Sequence, residues 1–268
     1  MYIYKYKIEN MRKKSASILI TNFNKAKYIK KTVQSCLNQN YKNKEIFIFD
    51  DQSSDHSLKI LKGFKKIKVF LNKKKKSSSG PINQINAIKE LFKRSKGEII
   101  FLLDGDDHFK KNKVKDIMQL FEKDKKLNFI QDVPYSSEKK KIITLKNKKH
   151  FFSIWPSFYP TSCITVKRNF FKKFLDNLDN KKFPNLEIDA RLCIFAFLTK
   201  SFKIYKKNLT IYNFDQSGIT SNYKKFGFNW WKKRNEAYDY MKVLLVKFKI
   251  KFKPAPDYYL TKVINFFI

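Results

Sequence analysis

Apolar and polar residues alternate in blocks along residues 15–107 of the chain. Short apolar runs lie at 15–21, 44–51, 67–71 and 98–103. The segments between them carry apolar residues at helical spacing and lie at 25–39, 53–64 and 82–95. Because strands without internal polar positions are covered on both faces, this alternation predicts an α/β fold, with a mostly parallel central sheet and helices on both faces.

The alternation is less regular in the second half of the chain. Helical spacing is found at 110–125, 168–178 and 186–199, and strand-like runs at 127–131, 141–145, 162–167 and 202–214. An aromatic loop occupies 150–162. We therefore expect an N-terminal extension at 1–14, a main domain at 15–221, and a C-terminal, mainly helical segment at 222–268 that is basic and aromatic.

Polar residues follow three of the predicted strands at the point where each strand ends. They are Thr21 to Asn24, Asp50 and Asp51, and Asp104 to Asp107. In open parallel sheets ligands bind outside the carboxyl ends of the strands, so these three groups are expected on one rim. The sequence therefore predicts a binding site assembled from residues some 80 positions apart.

The stretch FLLDGDDHF at 101–109 concentrates carboxylates at the end of the fourth strand. Asp104, Asp106 and Asp107 repel one another unless a cation lies between them. Mg²⁺ and Mn²⁺ prefer such oxygen ligands and complete their shells with water and phosphate oxygens. The alternative is a helix cap or a turn, with Gly105 at the bend. Three carboxylates at a predicted ligand-binding rim favour the cation site.

The formal net charge of +36 allows two interpretations. Of the 59 basic residues, five are arginine and 54 are lysine, and the lysines are spread along the whole chain. This favours the codon bias of an AT-rich genome over a dedicated polyanion site. Sequence-specific readers of nucleic acid rely on arginine for bidentate base contacts, so no specific nucleic acid is expected as a partner. A basic nucleic-acid-binding protein remains the alternative from a different class.

Cysteine use and hydropathy indicate the compartment. Cys36, Cys163 and Cys193 are far apart and form no C-x-x-C pair, which indicates free buried thiols. The segment MYIYKYKIENMRKKSAS is too charged for a signal-peptide core, and no apolar run approaches the roughly 20 residues of a membrane span. The expected location is the cytoplasm. A peripheral contact with the inner face of an anionic membrane, through Trp230, Trp231 and the run from Val243 to Val246, is a further hypothesis.

An ordered set of motifs over residues 15–107 resembles a known family. The set comprises T-x-F-N after the first strand, LNQNYKNKEI, DDQSSD and KGEIIFLLDGDD. It is similar to the nucleotide-sugar half of the family 2 glycosyltransferases, which are inverting enzymes with the GT-A fold. The resemblance implies a nucleotide-sugar half at 15–107 and an acceptor half at 108–221.

The resemblance also implies roles for individual residues. Those implied to bind the nucleotide sugar are Thr21, Phe23, Asn24, Asp51, Asp104 and Gly105. Phe23 would stack on a pyrimidine, where the family more often has tyrosine. Asp106 would ligate Mn²⁺ or Mg²⁺, with Asp107 supporting it. Basic residues on the rim would contact phosphate, but the sequence does not distinguish them among so many lysines.

An inverting transfer needs a general base that deprotonates the acceptor hydroxyl. The family uses the aspartate of an E-D pair that opens a helix, and the nearest match here is PNLEIDARLCIFAF at 184–197. Asp189 fits best, and Glu187 is the rival because Ile188 interrupts the pair. The alternative is an acidic residue that only stabilises the helix N-terminus. The loop DQSGITSNY at 215–223 resembles the family segment that covers the diphosphate, through Gln216, Ser217, Ser221 or the backbone near Gly218.

The implied function is metal-dependent transfer of a sugar from a nucleotide-diphosphate donor, a UDP-sugar, to a hydroxyl of a saccharide or lipid-linked acceptor. Such a reaction would belong to cell-surface polysaccharide or glycoconjugate synthesis. A nucleotidyltransferase has a similar sheet, but it needs a glycine-rich phosphate loop directly after the first strand. TNFNKAKY contains no glycine there, which argues against that alternative.

Overall fold

The computed structural model describes residues 14–145, 157–179, 182–216 and 218–268. Nearly all of the predicted N-terminal extension, the first half of the aromatic loop at 150–162, and Ser217 lie outside the described residues. The structure therefore bears on the main domain and on the C-terminal segment.

The elements follow one another in the order that the hydrophobic pattern predicts. The strands are β1 Ala16–Asn22, β2 Lys44–Asp50, β3 Lys68–Leu71, β4 Ile99–Asp104, β5 His108–Phe109, β6 Phe129–Ser136, β7 Lys141–Ile142, β8 Ile164–Lys167 and β9 Ile204–Tyr212. The α-helices are α1 Ala26–Leu37, α2 Ser57–Lys62, α3 Gly80–Arg94, α4 Lys113–Lys123, α5 Arg168–Asp176, α6 Ile188–Leu198, α7 Phe228–Lys247 and α8 Pro256–Phe266.

Within the described residues the strands form one mixed sheet in the order β3-β2-β1-β4-β8-β6-β9-β5, with β7 paired to β6. The first four strands are parallel, as predicted. β8 is antiparallel to both β4 and β6, and β9 returns parallel to β6. The strand predicted at 141–145 is reduced to two residues, and β5 is too short to show in the hydrophobic pattern.

Two hydrophobic cores lie on opposite faces of the sheet. In β1, Leu19 belongs to one core, whereas Ile18 and Ile20 belong to the other, because successive strand residues point to opposite faces. The first core contains buried residues of α3, α5, α6 and α7, and the second those of α1 and α4. The sheet is thus covered on both sides, as its apolar strands require.

The carboxyl ends of the central strands lie level with one another. In the strand register Asn22 is the partner of Asp50, and Thr21 is the partner of Asp104. The predicted convergence of these polar groups on one rim is therefore confirmed. In the described ranges no helix has the length and apolar composition that crossing a membrane requires.

Candidate functional site

A cavity of about 590 Å³ opens at this rim. Its walls come from the ends of β1, β2, β4 and β9, the start of α3, the segment 158–161, the start of α6 and one residue of α7. The charged side chains that line it are Lys25, Asp51, Lys76, Asp104, Asp106, Glu187, Asp189, Asp215 and Lys233. The cavity is therefore lined by residues that range from Thr21 to Lys233 in the sequence.

Asp104 lies at the centre of the cavity wall. Its Oδ1 atom accepts hydrogen bonds from Thr21 Oγ1 at 3.1 Å and Gln84 Nε2 at 2.8 Å. Burial and the charge of Asp106 raise the pKa of Asp104 to about 6, although both hydrogen bonds oppose the shift. Two carboxylates held this close favour a cation between them.

Lys25 lies between β1 and α1 and reaches into the acidic cluster. Its Nζ atom is 2.8 Å from Asp106 Oδ2 and 2.5 Å from Asp215 Oδ2. Burial alone would lower the pKa of this lysine, but the two carboxylates outweigh it and raise the pKa. The ammonium group therefore stands beside Asp106 as an internal cation.

Gly105 and Asp107 lie behind the cavity wall rather than on it. A Cβ atom at Gly105 would stand 2.8 Å from Asn22 Oδ1 and 3.0 Å from the main-chain oxygen of Thr21, so this glycine lets the loop approach β1 closely. Asp107 is 1% exposed and accepts a 2.8 Å hydrogen bond from the main-chain N–H of Asn213. Both residues hold the loop between β4 and β5 in place.

Asp51, Phe23 and Lys76 form one end of the cavity. Asp51 accepts a 2.6 Å hydrogen bond from Asn72 Nδ2, and Lys76 Nζ lies 3.3 Å from its Oδ2 atom. Lys76 Nζ also lies 3.3 Å from the centre of the Phe23 ring. The ring is 45% exposed, so one aromatic face carries a cation at this end of the cavity.

Asn24 is close to the cavity but does not line it. Its Oδ1 atom accepts a 2.8 Å hydrogen bond from the main-chain N–H of Ser54, and its main-chain N–H donates to Ser53 Oγ at 2.9 Å. Its φ of 52° is the left-handed conformation that asparagine tolerates better than most residues. The side chain therefore connects the loops after β1 and β2.

Glu187 and Asp189 lie at the start of α6, on the opposite wall from β1. Glu187 forms an ion pair with Lys233 of α7. Burial and the charge of Glu187 raise the pKa of Asp189 to about 7, with a smaller contribution from Asp104. The carboxyl of Asp189 is thus poised between its protonated and ionised forms near neutral pH.

A fully buried ion pair supports the site from below. Lys113 Nζ lies 2.6 Å from Asp132 Oδ1, and neither side chain is exposed. Lys113 also donates 2.7 Å hydrogen bonds to the main-chain oxygen of Ser162 and to Thr210 Oγ1. Ser162 Oγ in turn accepts from the main-chain N–H of Asp104 at 3.1 Å, so the network connects the sheet interior to the acidic loop.

Only some residues of the loop 215–223, which was predicted to cover the diphosphate, line the cavity. Asp215, Gly218 and Ile219 line the cavity. Gln216 and Ser221 do not line it, and Ser221 Oγ instead donates a 2.7 Å hydrogen bond to the main-chain oxygen of Gly218. A Cβ atom at Gly80 would lie 3.1 Å from Ile219, so the loop packs against the start of α3.

Three lysines of the cavity were not distinguishable in the sequence. They are Lys25, Lys76 and Lys233, and they come from three different parts of the chain. Each pairs with a carboxylate that the sequence did predict: Asp106, Asp51 and Glu187, respectively.

A divalent cation fits the donor set of the acidic loop. Among the residues described, no group of three or more His, Cys, Asp or Glu side chains is arranged to hold a metal ion. The available ligands are the carboxylates of Asp106 and Asp104, and Mg²⁺ and Mn²⁺ are commonly held by one or two carboxylates together with substrate phosphates and water. The residues therefore suit a cation that arrives with a phosphate-bearing ligand.

Comparison with known proteins identifies the kind of molecule. The family model for glycosyl transferase family 2 matches residues 17–202. The chain is 28% identical over 229 residues to the GalNAc(5)-diNAcBac-PP-undecaprenol beta-1,3-glucosyltransferase of Campylobacter jejuni. That alignment covers 76% of this chain and 66% of the relative, so the chain spans just under two thirds of the relative's length.

Solved structures of low sequence identity share the fold. The Staphylococcus aureus TarS fragment 1–349, in complex with UDP-GlcNAc, superposes with a TM-score of 0.63 at 15% identity over 84% of this chain and 66% of that one. The mannosyltransferase PcManGT from Pyrobaculum calidifontis, in complex with GDP-Man and Mn²⁺, superposes with a TM-score of 0.59 at 11% identity over 93% of this chain and 68% of that one. These likenesses show the GT-A fold that the motifs led us to expect.

Proposed function

The chain belongs to glycosyl transferase family 2, and from this premise we propose that it transfers a sugar, with inversion, from a UDP-sugar to a hydroxyl group of a saccharide or lipid-linked acceptor. The observation that carries the proposal is that Asp51, Asp104, Asp106 and Asp189 line one and the same cavity. The carboxylates of the first three suit a donor and its cation. The fourth lies across the cavity, where an acceptor hydroxyl would enter.

The uridine would bind at the end formed by Asp51, Phe23 and Lys76. A carboxylate there can accept hydrogen bonds from a pyrimidine or a ribose, and an exposed aromatic ring offers a stacking surface. Lys76 lies over that ring, so the base would displace it or stack on the opposite face. Displacement would free the ammonium for a phosphate oxygen. Thr21 and Gln84 orient Asp104 beside this end by hydrogen bonds to its carboxylate.

Asp106 would hold Mn²⁺ or Mg²⁺, with Asp104 nearby and Asp107 supporting the loop from behind. When bound, the cation would supply charge neutralisation for the departing diphosphate. Lys25 now occupies the space beside Asp106, at 2.8 Å. The Lys25 ammonium would offer the departing diphosphate a further positive charge.

Asp189 would act as the general base. A base works best when its pKa lies near the working pH, and the pKa of Asp189 is raised to about 7. Glu187 is the weaker candidate because its carboxylate is engaged by Lys233. Transfer would then proceed by attack of the acceptor oxygen on the anomeric carbon, as its proton moves to Asp189 and the bond to the diphosphate breaks.

The acceptor class follows from the relative rather than from the cavity. The Campylobacter jejuni protein is named for an undecaprenol-linked glycan acceptor. We extend to this chain a saccharide acceptor carried on a lipid diphosphate, in cell-surface polysaccharide or glycoconjugate synthesis. Residues 158–161 line the cavity, and Phe158, which is partly exposed, would offer an aromatic face to a sugar ring there.

Thermal shift with nucleotide sugars tests the donor proposal. At 100 times the dissociation constant, a ligand stabilises the folded state by about 2.7 kcal/mol, which for a chain of this size is a shift of about 5 °C. We expect such a shift from a UDP-sugar only with Mn²⁺ or Mg²⁺, and its loss in Asp106→Asn. Asp176→Asn, which changes an exposed carboxylate on α5, is the matched control. If no nucleotide sugar shifts the wild-type protein with either metal, the proposal is wrong.

A further inference from the structure

Helix α8 turns a continuous apolar face outward. Its exposed apolar side chains are Tyr259, Leu260, Val263 and Phe266, with Phe267 directly after the helix, each between 54% and 84% exposed. At about 100° per residue these five positions fall within an arc of about 120°. The apolar stripe of a surface helix usually packs on the core, whereas the stripe of α8 faces the solvent.

The opposite face of α8 is held to α7 by polar contacts. Thr261 Oγ1 accepts a hydrogen bond from Arg234 Nε at 3.1 Å, and Lys262 Nζ donates to Asp239 Oδ1 at 2.7 Å. Asn265 Nδ2 donates to a main-chain oxygen of α7 at 3.1 Å. The helix is therefore anchored without its apolar stripe, which leaves the stripe available to a partner.

Positive charge borders the apolar stripe. Four exposed lysines occupy alternate positions from the last residue of α7 into the connection to α8: Lys247, Lys249, Lys251 and Lys253. The whole segment 222–268 contains eleven basic and three acidic residues. A partner for this surface must therefore present apolar material and negative charge together.

We propose that α8 and the lysine-rich segment 247–253 bind peripherally to an anionic membrane surface. Helices with lysines beside a face of leucine and aromatic residues lie in the headgroup region of such membranes. A second copy of the chain is a poorer partner because each copy carries a net charge of +36. A nucleic acid would satisfy the lysines but would leave the apolar stripe in water.

The residues proposed from the sequence to contact a membrane differ from those that the structure favours. Val243 and Val246, named from the sequence, are 50% and 81% exposed. Trp230 and Trp231 are only partly exposed and pack edge to face with ring centres 4.7 Å apart. The stripe of α8, which the sequence pattern did not single out, offers the larger apolar surface.

Helix α7 connects the proposed membrane-binding helix α8 to the cavity. Lys233 of α7 lines the cavity, and the next residue, Arg234, pairs with Asp257 of α8. Membrane binding would hold the cavity at a constant distance from the lipid surface. The positioning of the cavity near the lipid surface rests on the proposed function, because it matters only for a lipid-linked acceptor. Membrane binding itself does not rest on the proposed function.

Co-sedimentation of the full chain with vesicles tests the proposal without any nucleotide sugar. The vesicles contain phosphatidylglycerol and phosphatidylcholine in equal parts, with pure phosphatidylcholine as the neutral comparison. The test variant carries Leu260→Ser, Val263→Ser and Phe266→Ser. The control variant carries Leu71→Ser and Ile142→Ser, two residues that are each 52% exposed elsewhere on the surface. Melting temperatures check that both variants fold, and light scattering reports the oligomeric state.

We expect the wild type and the control variant to bind the anionic vesicles, and the α8 variant to bind at least about tenfold more weakly. Neutral vesicles should bind all three weakly. Equal binding by the α8 variant would mean that lysines alone attract the vesicles and would overturn the role of the apolar stripe. Failure of the wild type to bind, or a dimer that the α8 substitutions dissociate, would overturn membrane binding. Donor thermal shifts are independent of all these outcomes.

Discussion

Replacing Asp189 with asparagine should stabilise the protein while removing its activity. The side chain keeps its size and loses only its charge. The pKa of Asp189 is raised from 3.8 to about 7, chiefly because burial and Glu187 oppose ionisation. At about 1.36 kcal/mol per pKa unit, ionisation in the folded state costs up to about 4 kcal/mol relative to the unfolded chain. Because the Asp189 side chain is partly exposed to solvent, about half of that is the more realistic gain.

The sign of the effect determines its dependence on pH. The folded-state pKa lies above the unfolded value, so the carboxyl favours folding in its protonated form. In the wild type, the contribution of this carboxyl to the free energy of unfolding is fully present below about pH 4. It is lost as the pH rises to about 7. The asparagine variant loses nothing over this interval. The difference in melting temperature should therefore grow between pH 4 and pH 7, and reach about 4–8 °C on a plateau above pH 7.

Scanning fluorimetry between pH 4.5 and pH 8.5 measures the difference, with Asp176→Asn as the exposed control. Activity should fall by about two to four orders of magnitude in Asp189→Asn, as expected when a general base is removed, while the donor-dependent thermal shift is retained. In the wild type, the rate should rise with pH to a plateau above about 7. A variant no more stable than wild type at pH 8, or a difference independent of pH, would refute the assignment of a raised pKa to Asp189.

Three further substitutions test other parts of the site. Lys25→Met removes the internal cation, so the affinity for Mn²⁺ in the absence of a donor should rise about tenfold. Electron paramagnetic resonance measures this affinity, and an unchanged value would contradict competition between Lys25 and Mn²⁺ for the same carboxylate. Lys113→Met leaves Asp132 buried without its counter-charge and should cost about 3–5 kcal/mol in urea unfolding, whereas a loss below about 1 kcal/mol would mean that the pair is solvated. Gly105→Ala places a methyl group 2.8 Å from Asn22 Oδ1 and should abolish the donor-dependent shift, and a full shift in this variant would show that the loop relaxes freely.

The sequence predicted those parts of the site that follow from strand ends. Thr21, Asp51 and Asp104 lie where the carboxyl edge of a parallel sheet must bring them together, and the hydrophobic pattern locates those strands. Asn24 is different, because its side chain accepts a hydrogen bond from the loop after β2 and does not line the cavity. Nothing in a periodic pattern distinguishes a side chain that faces the cavity from one that fixes the loop behind it.

The basic residues of the site could not be predicted for a related reason. Lys233 reaches Glu187 only because α7 packs beside α6, and Lys76 reaches Asp51 only because an aperiodic loop folds back. Such choices depend on contacts between residues far apart in sequence, which leave no local signal among 54 lysines. The buried pair of Lys113 and Asp132 is a similar case, since neither residue stands in a motif.

The ion pair between α6 and α7 has a consequence for how such enzymes diversify. If the C-terminal segment were exchanged for that of a relative, Glu187 would keep its place at the cavity wall, but its counter-charge at Lys233 would depend on the incoming helix. A chimaera would therefore need a cation at that position to remain folded and active. The C-terminal segment is therefore tied to the cavity wall by this one pair of charges.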